Sequence, residues 1–295
     1  NNKLPISIKG ISESMPIIYN QKIPSAQIKS AVLLASLNTP GITTIKENLE
    51  TRNHTEILLK MLGANIKIKK NKNNNEITII GQKELKAKNI LISGDPSSAA
   101  IIGAAALIIP KSKIKIKNVN INNTRISFFN ILKKMNANIT ISNKKIISNE
   151  KVADITFKSS NLKGIHLTSK NVATMIDEIP IFSILASFSN GISSFTGGNQ
   201  LKNKESNRIK SLYEGLKALN IKVFKKNDGL KIIGNKLIKD NKNIKIKSYY
   251  DHRIAMSFLI MSLAYKKKII IDNIECINTS FPNFFKSIKK LGAKI

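Results

Sequence analysis

Met61-Leu62-Gly63-Ala64 decides the fold, because it returns as Lys134-Met135-Asn136-Ala137, Ala218-Leu219-Asn220-Ile221 and Lys290-Leu291-Gly292-Ala293. Each closes a polar helical stretch with Gly or Asn, the residues that best accept the left-handed backbone at a helix C-terminus. The stops lie 73, 84 and 72 residues apart (63 to 136, 136 to 220, 220 to 292). That period is too long for a solenoid and suits a compact unit of two helices on a small sheet. Outward from each stop the same order reads four times. A small-residue apolar helix leads to a turn, an alternating strand, a loop, a polar helix and a closing strand. Four such units predict an α/β architecture.

The helix starts are legible as well. Ser25, Asp95, Asp177 and Asp251 each stand just before an apolar helical run. A side-chain oxygen there satisfies free backbone N–H groups, and Asp95-Pro96 adds proline at the first helical position. Capping alone accounts for all four at this level.

The composition narrows the class. The chain has 295 residues, a length of two ordinary domains or one large one. Hydrophobic residues make up 42 %, which excludes a disordered or collagen-like chain. The longest apolar runs, residues 99–109 and 254–265, fall short of the ~20 residues that cross a bilayer. A single cysteine, Cys276, excludes a disulfide framework and a Cys-based zinc site. The chain starts Asn1-Asn2-Lys3, without initiator Met or signal-peptide core. The expectation is a soluble, cytoplasmic chain truncated at its start.

The net charge is +31, from 49 Lys+Arg against 18 Asp+Glu, and all but four of the basic residues are Lys. Many lysines alternate with isoleucine, as in Ile114-Lys115-Ile116-Lys117 and Ile244-Lys245-Ile246-Lys247. Period-two patterning there turns Ile inward and Lys into water. Such a charge is compatible with binding nucleic acid through its phosphates. With aromatics at 5 % and no Trp, a base-stacking platform is poorly supported. A solvated, compositionally biased surface is the favoured reading.

Two helix starts carry more than caps. In Lys204-Glu205-Ser206-Asn207-Arg208, Lys204 and Arg208 are four apart and Glu205 and Arg208 three apart. The spacing predicts that these groups share one face of the first turn. Cations oppose the helix dipole at an N-terminus, a conflict that an anionic ligand would resolve. Arg253 repeats the oddity after Asp251-His252. Only Arg offers a planar fork for carboxylate or phosphate. In a chain so biased to Lys, each of Arg52, Arg125, Arg208 and Arg253 is a candidate for a place where Lys would not serve.

Eight segments now stand in order: Ser25-Ala26-Gln27-Ile28-Lys29-Ser30-Ala31, Asn38-Thr39-Pro40-Gly41, Thr51-Arg52-Asn53-His54-Thr55-Glu56, Gly94-Asp95-Pro96-Ser97-Ser98, Met175-Ile176-Asp177-Glu178, Lys204-Glu205-Ser206-Asn207-Arg208, Asp251-His252-Arg253-Ile254-Ala255-Met256 and Ser280-Phe281-Pro282. The series closely resembles the 5-enolpyruvylshikimate-3-phosphate synthase family along the whole chain, and the Ser-Ala-Gln form resembles its bacterial class II branch. Singly each motif is weak; the ordered series is specific.

The resemblance implies an enolpyruvyl transferase-like two-domain fold of repeated βαβαβ-type units, an inside-out α/β barrel. Four of six units would be present. Residues 1–92 would be the last unit of the upper domain, incomplete without its sisters and exposing apolar faces and strand edges. Residues 93–295 would be the lower domain of three units. The family's N-terminal portion, with a substrate-binding Lys in a Gly-Ser-Lys-Ser-type segment and a phosphoenolpyruvate-binding Arg, would be missing, and the segment alone inactive.

The implied reaction moves the enolpyruvyl group of phosphoenolpyruvate to the 5-hydroxyl of shikimate 3-phosphate and releases phosphate. It uses no metal or organic cofactor. By motif, Asp177 resembles the proton acceptor at the hydroxyl, and Glu205 with Lys204 the pair that handles proton transfer at the tetrahedral intermediate. Arg208 and Arg253, with Gln27, resemble phosphoenolpyruvate contacts. Ser25, Ala26 (through its backbone), Gln27, Arg52, Asp177 and Lys204 resemble shikimate 3-phosphate contacts. The resemblance further implies a monomer when complete, with neither a membrane nor a nucleic acid as partner.

Asn203 and Asn207 depart from the family's usual apolar residue and Asp, which questions local packing and leaves Lys204, Glu205 and Arg208 in place. Thr279 stands where many class I members carry a phosphoenolpyruvate-binding Lys, and takes no site role. His54 and His252 show no carboxylate partner or metal-ligand spacing in the sequence and read as structural or secondary in role, and His166 reads as a strand or surface residue. Cys276 lacks the loop context of the catalytic Cys of UDP-N-acetylglucosamine enolpyruvyl transferase, the enzyme whose activity competes most closely with this reading. A basic nucleic-acid-binding protein on an enzyme-like scaffold and an inactive, degenerate relative compete with it more distantly.

Overall fold

The computed structural model describes residues 5–71, 74–234, 244–265 and 268–294. The starting Asn1-Asn2-Lys3 lies outside them. The chain divides into two compact units, residues 1–92 with 146–150, and residues 93–145 with 151–295.

The first unit runs β1 (Ile18–Gln21), α1 (Ala26–Ser36), β2 (Ile42–Glu47), α2 (His54–Met61), β3 (Asn65–Lys70) and β4 (Asn75–Ile80). Its sheet has the order β1-β2-β4-β3, parallel between β1 and β2 and antiparallel elsewhere. Thr43, Ile45 and Glu47 alternate inward along β2, as a half-buried strand requires. Seven apolar residues form the core: Leu33, Ile45, Leu59, Ala64, Ile66, Ile77 and Ile79. The unit exposes apolar side chains, as the sequence led us to expect. Of 23 exposed large hydrophobics among the described residues, 17 lie in residues 1–92, including Ile18 at 67 % and Leu34 at 53 %.

The second unit repeats the theme. It begins with α3 (Pro96–Ile108), β5 (Lys113–Asn120), α4 (Ser127–Lys134), β6 (Asn138–Ile147) and β7 (Glu150–Lys158). Then come β8 (His166–Leu167), α5 (Ser169–Thr174), α6 (Ile179–Ser187), β9 (Gly191–Phe195), α7 (Arg208–Ala218), β10 (Val223–Lys226) and β11 (Gly229–Gly234). The last elements are β12 (Ile244–Ile246), α8 (His252–Ala264), β13 (Ile269–Ile271) and α9 (Phe284–Lys290). The sheets are β5-β7-β6, β10-β11-β9-β8 and β12-β13.

Helices α3, α6 and α8 pack on one another, and all nine residues of α6 are buried. A helix that is hydrophobic on most sides is buried on most sides, and the serines that α6 buries, Ser183 and Ser187, donate to carbonyls of their own helix. Helix α4 is one-sided instead, burying Phe128, Phe129, Ile131 and Leu132 while Lys133 and Lys134 face water. Gly103 brings α3 close to β7: a Cβ there would lie 2.6 Å from the ring of Phe157, itself fully buried. That ring also packs against Phe129 and has little room to yield. Gly103→Ala is therefore expected to destabilise the protein by about 1–3 kcal/mol through overpacking, read as a lower urea midpoint.

All four helix stops adopt the left-handed backbone, with φ of 99° at Gly63, 64° at Asn136, 57° at Asn220 and 95° at Gly292. In the fourth unit, Ala293 and Lys294 follow the helix stop and are in no strand. Among the described residues, β12 and β13 pair only with each other, in parallel.

Candidate active site

Three of the four expected caps form. Ser25 Oγ accepts from the Ile28 amide at 3.3 Å, Asp95 Oδ2 from the Ser98 amide at 2.8 Å, and Asp251 Oδ1 from the Arg253 amide at 2.9 Å. Asp177 does not cap. It sits in a 3₁₀ turn, Ile176–Glu178, and Glu178 takes the position before α6 without a side-chain capping bond. Pro180 in the first turn of α6 leaves one amide fewer to cap, and three guanidinium groups draw the Asp177 carboxylate elsewhere.

Those groups come from three helix starts. Arg208 Nη1 lies 3.5 Å and Arg253 Nε 3.8 Å from Asp177 Oδ1, with Arg125 Nη1 4.0 Å from Oδ2. Arg253 Nη1 also donates to the Asp177 carbonyl at 3.3 Å. Arg208 is buried to 1 % and holds two further carboxylates, Asp251 through Nε at 2.8 Å and Glu205 through Nη2 at 2.6 Å. Arg125 donates to Ser97 Oγ at 2.7 Å and reaches Asp95 at 3.3 Å and Glu178 at 3.8 Å, and Ser97 donates to Glu178 at 2.5 Å. The constellation places carboxylates next to forked cations, the arrangement that acid–base chemistry on an anionic substrate needs.

The Lys204 segment differs from the expected first-turn face. Lys204 has extended backbone (φ −91°, ψ −160°) and ends the 3₁₀ turn Asn199–Asn203. Helix α7 begins only at Arg208, because Asn207 accepts from the Lys210 amide at 3.1 Å and caps it there. Asn207 thus keeps the capping ability of the Asp it replaces. Glu205 and Arg208 pair as their spacing predicted, whereas Lys204 is exposed and in no ion pair among the described residues.

In the first unit, Ser25, Ala26 and Gln27 stand at the start of α1, and Arg52 lies in the connection from β2 to α2. Gln27 is exposed, and the other three are half-buried. Contrary to the sequence reading, His54 has a carboxylate partner, with Nδ1 2.5 Å from Glu150 Oε1. The two residues are 96 apart, so no local spacing reveals the pair.

His252 is buried beside this machinery. Burial first, then the Arg253 guanidinium, pushes its imidazole below the ordinary range, so it is neutral at pH 7. A lowered folded-state pKa contributes stability that is complete above the unfolded value of about 6.5 and is lost as pH falls through the folded one. Urea unfolding at pH 7.5 and 5.5 should show a larger loss for the wild type than for His252→Gln. Burial pushes the Cys276 thiol up, away from the thiolate a nucleophile needs. Among the described residues no cluster of three His, Cys, Asp or Glu is suited to a metal ion, and no helix is long and apolar enough to cross a membrane.

The sequence alone assigns no role to Arg125, Ser97 or Glu178; the scarcity of Arg is the one signal that points at Arg125.

Fold and site together define an enolpyruvyl transferase architecture, an inside-out α/β arrangement of repeated units. The enolpyruvyl transferase NikO from Streptomyces tendae shares that fold over 96 % of this chain and 65 % of its own (TM-score 0.76, 15 % identity). An EPSP synthase from Acinetobacter baumannii superposes with a TM-score of 0.86 at 35 % identity, over 99 % of this chain and 66 % of that one. The EPSP synthase (3-phosphoshikimate 1-carboxyvinyltransferase) family matches residues 1–288, and the chain belongs to it. It is 43 % identical to 3-phosphoshikimate 1-carboxyvinyltransferase of Zymomonas mobilis subsp. mobilis, over 99 % of this chain and 65 % of that protein. The same enzyme of Chelativorans sp. is 41 % identical, over 100 % of this chain and 66 % of its own length. The chain thus spans about two thirds of these relatives.

Proposed function

We propose that the protein transfers the enolpyruvyl group of phosphoenolpyruvate to the 5-hydroxyl of shikimate 3-phosphate and releases phosphate. The observation that carries this is the caging of Asp177 by Arg125, Arg208 and Arg253 in a chain of this family. In this reading Asp177 takes the hydroxyl proton as the oxygen attacks phosphoenolpyruvate. Glu205 and Lys204 deliver a proton to the methylene carbon and remove one when phosphate leaves. Arg208 and Arg253, with Gln27, hold phosphoenolpyruvate; Ser25, the Ala26 backbone, Gln27 and Arg52 hold shikimate 3-phosphate, with Asp177 and Lys204 touching it at the reacting end. The protein works as a cytoplasmic monomer.

Formal charge adds to the reading. The cluster holds three arginines (125, 208, 253) against five carboxylates (Asp95, Asp177, Glu178, Glu205, Asp251), a sum of −2. Two substrates carrying phosphate and carboxylate groups need cations beyond these. We read residues 1–92 as the last unit of an upper domain and 93–295 as a lower domain, with Arg52 and Lys204 among the further cations.

The test is phosphate release from phosphoenolpyruvate by the protein expressed from its complete reading frame, with shikimate 3-phosphate or UDP-N-acetylglucosamine as acceptor. Release with shikimate 3-phosphate alone supports the proposal. Release with the sugar nucleotide alone moves the protein to the sister activity, and no release from folded protein overturns both.

A further inference from the structure

The first unit has a small core, and at its centre lies a group that the proposed chemistry does not use. Lys29 of α1 is fully buried, and its ammonium lies 2.7 Å from Glu56 Oε1 and 3.2 Å from Glu47 Oε2. Glu47 and Glu56 are each only 3 % exposed, and Glu56 Oε2 is buried without a hydrogen-bond partner. Taking such charges out of water is costly, and apolar side chains of similar volume generally serve stability as well or better. A buried ionic group in a unit whose apolar core is seven residues therefore calls for a role other than stability.

Its connections supply one. Glu47 ends β2, and its Oε2 accepts from the amide and hydroxyl of Thr51, at 3.3 and 2.9 Å, beside Arg52. Glu56 lies in the first turn of α2. The Lys29 amide donates to the Ser25 carbonyl at 3.1 Å, and Gln21 Nε2 donates to the same carbonyl at 2.6 Å. Ser30 and Thr55 hydroxyls, 2.6 Å apart, tie α1 to α2 a second time. One ammonium thus links the start of α1, the end of β2 with the Arg52 connection, and the start of α2. Hydrogen-bonded ion pairs are directional, whereas apolar contacts let elements slide.

We infer that the Lys29–Glu47–Glu56 triad is a positioning device that fixes the spacing between the Ser25–Gln27 turn and Arg52, and so sets affinity for the phosphorylated acceptor. The inference rests on the proposed reaction. Lys29 touches no substrate and acts through Ser25, Gln27 and Arg52.

The test compares steady-state kinetics of the full-length enzyme with a triple variant, Lys29→Met, Glu47→Gln, Glu56→Met, which leaves no buried charge unpaired. The variant is expected to fold, with a KM for shikimate 3-phosphate raised at least tenfold, kcat within about threefold and an unchanged KM for phosphoenolpyruvate. A merely structural role would lower the folded fraction, and hence apparent kcat, at unchanged KM, and would overturn the inference. If the triple variant does not fold, Glu47→Gln carries the test: a severalfold rise in the same KM supports the inference, and a wild-type KM overturns it. Wild-type protein that turns over normally beside an unaffected variant defeats the positioning role alone. Wild-type protein inactive with shikimate 3-phosphate defeats the proposed function and the inference with it.

Discussion

Asp177→Asn is expected to reduce turnover by about 10²–10⁴-fold, the range of a lost general base, in a protein that remains folded. The carboxylate faces guanidinium groups of Arg208 and Arg253 on Oδ1 and of Arg125 on Oδ2. Asn keeps the size and one acceptor oxygen, so the arginines retain a neighbour. It cannot take a proton, and it removes the negative charge that would stabilise positive charge developing at the hydroxyl. The measurement is phosphate release under saturating substrates, alongside urea unfolding. A folded Asp177→Asn enzyme with wild-type turnover would remove Asp177 from the mechanism. A variant inactive because unfolded would show itself in the unfolding curve, and Asp177→Glu, keeping the charge, should then fold.

Asp251→Ala is expected to be the most destabilising single change, at about 3–5 kcal/mol for a broken buried ion pair. Asp251 is 0 % exposed and works with both oxygens. Oδ2 accepts from Arg208 Nε at 2.8 Å and Ser206 Oγ at 3.1 Å, while Oδ1 caps α8 through the amides of Arg253 and Ile254. Its loss leaves the Arg208 guanidinium, itself 1 % exposed, without its fully buried anion. It also uncaps the helix that carries Arg253, worth about 1 kcal/mol. Asp251→Asn keeps a capping oxygen and should recover that smaller part only. Urea midpoints of the three proteins measure both contributions. Equal midpoints for wild type and Asp251→Ala would mean that Arg208 is held by Glu205 and Asp177 alone.

Much of the framework was legible because it depends on neighbours in the chain. A helix stop needs one residue tolerant of positive φ, and Gly63, Asn136, Asn220 and Gly292 all adopt it. A cap needs an oxygen two or three residues before an amide, and Ser25, Asp95 and Asp251 provide it. The ordered motifs likewise led to the family that matches residues 1–288. Three local expectations changed: Asp177 is no cap, Lys204 precedes the helix it was placed on, and His54 has a distant carboxylate. In each case the deciding partner was another side chain or a competing cap, which periodicity does not register.

By itself the sequence determined the repeat, the element types, the helix ends and the family, since these rest on local backbone preference and on the order of motifs. Tertiary structure alone decided what surrounds each charge. Arg125, Arg208 and Arg253 converge on Asp177 from positions 52, 31 and 76 residues away, and Lys29 meets Glu47 and Glu56 across 18 and 27 residues. Ion pairs act through space and gain strength with burial, and both distance and burial exist only once the elements have packed.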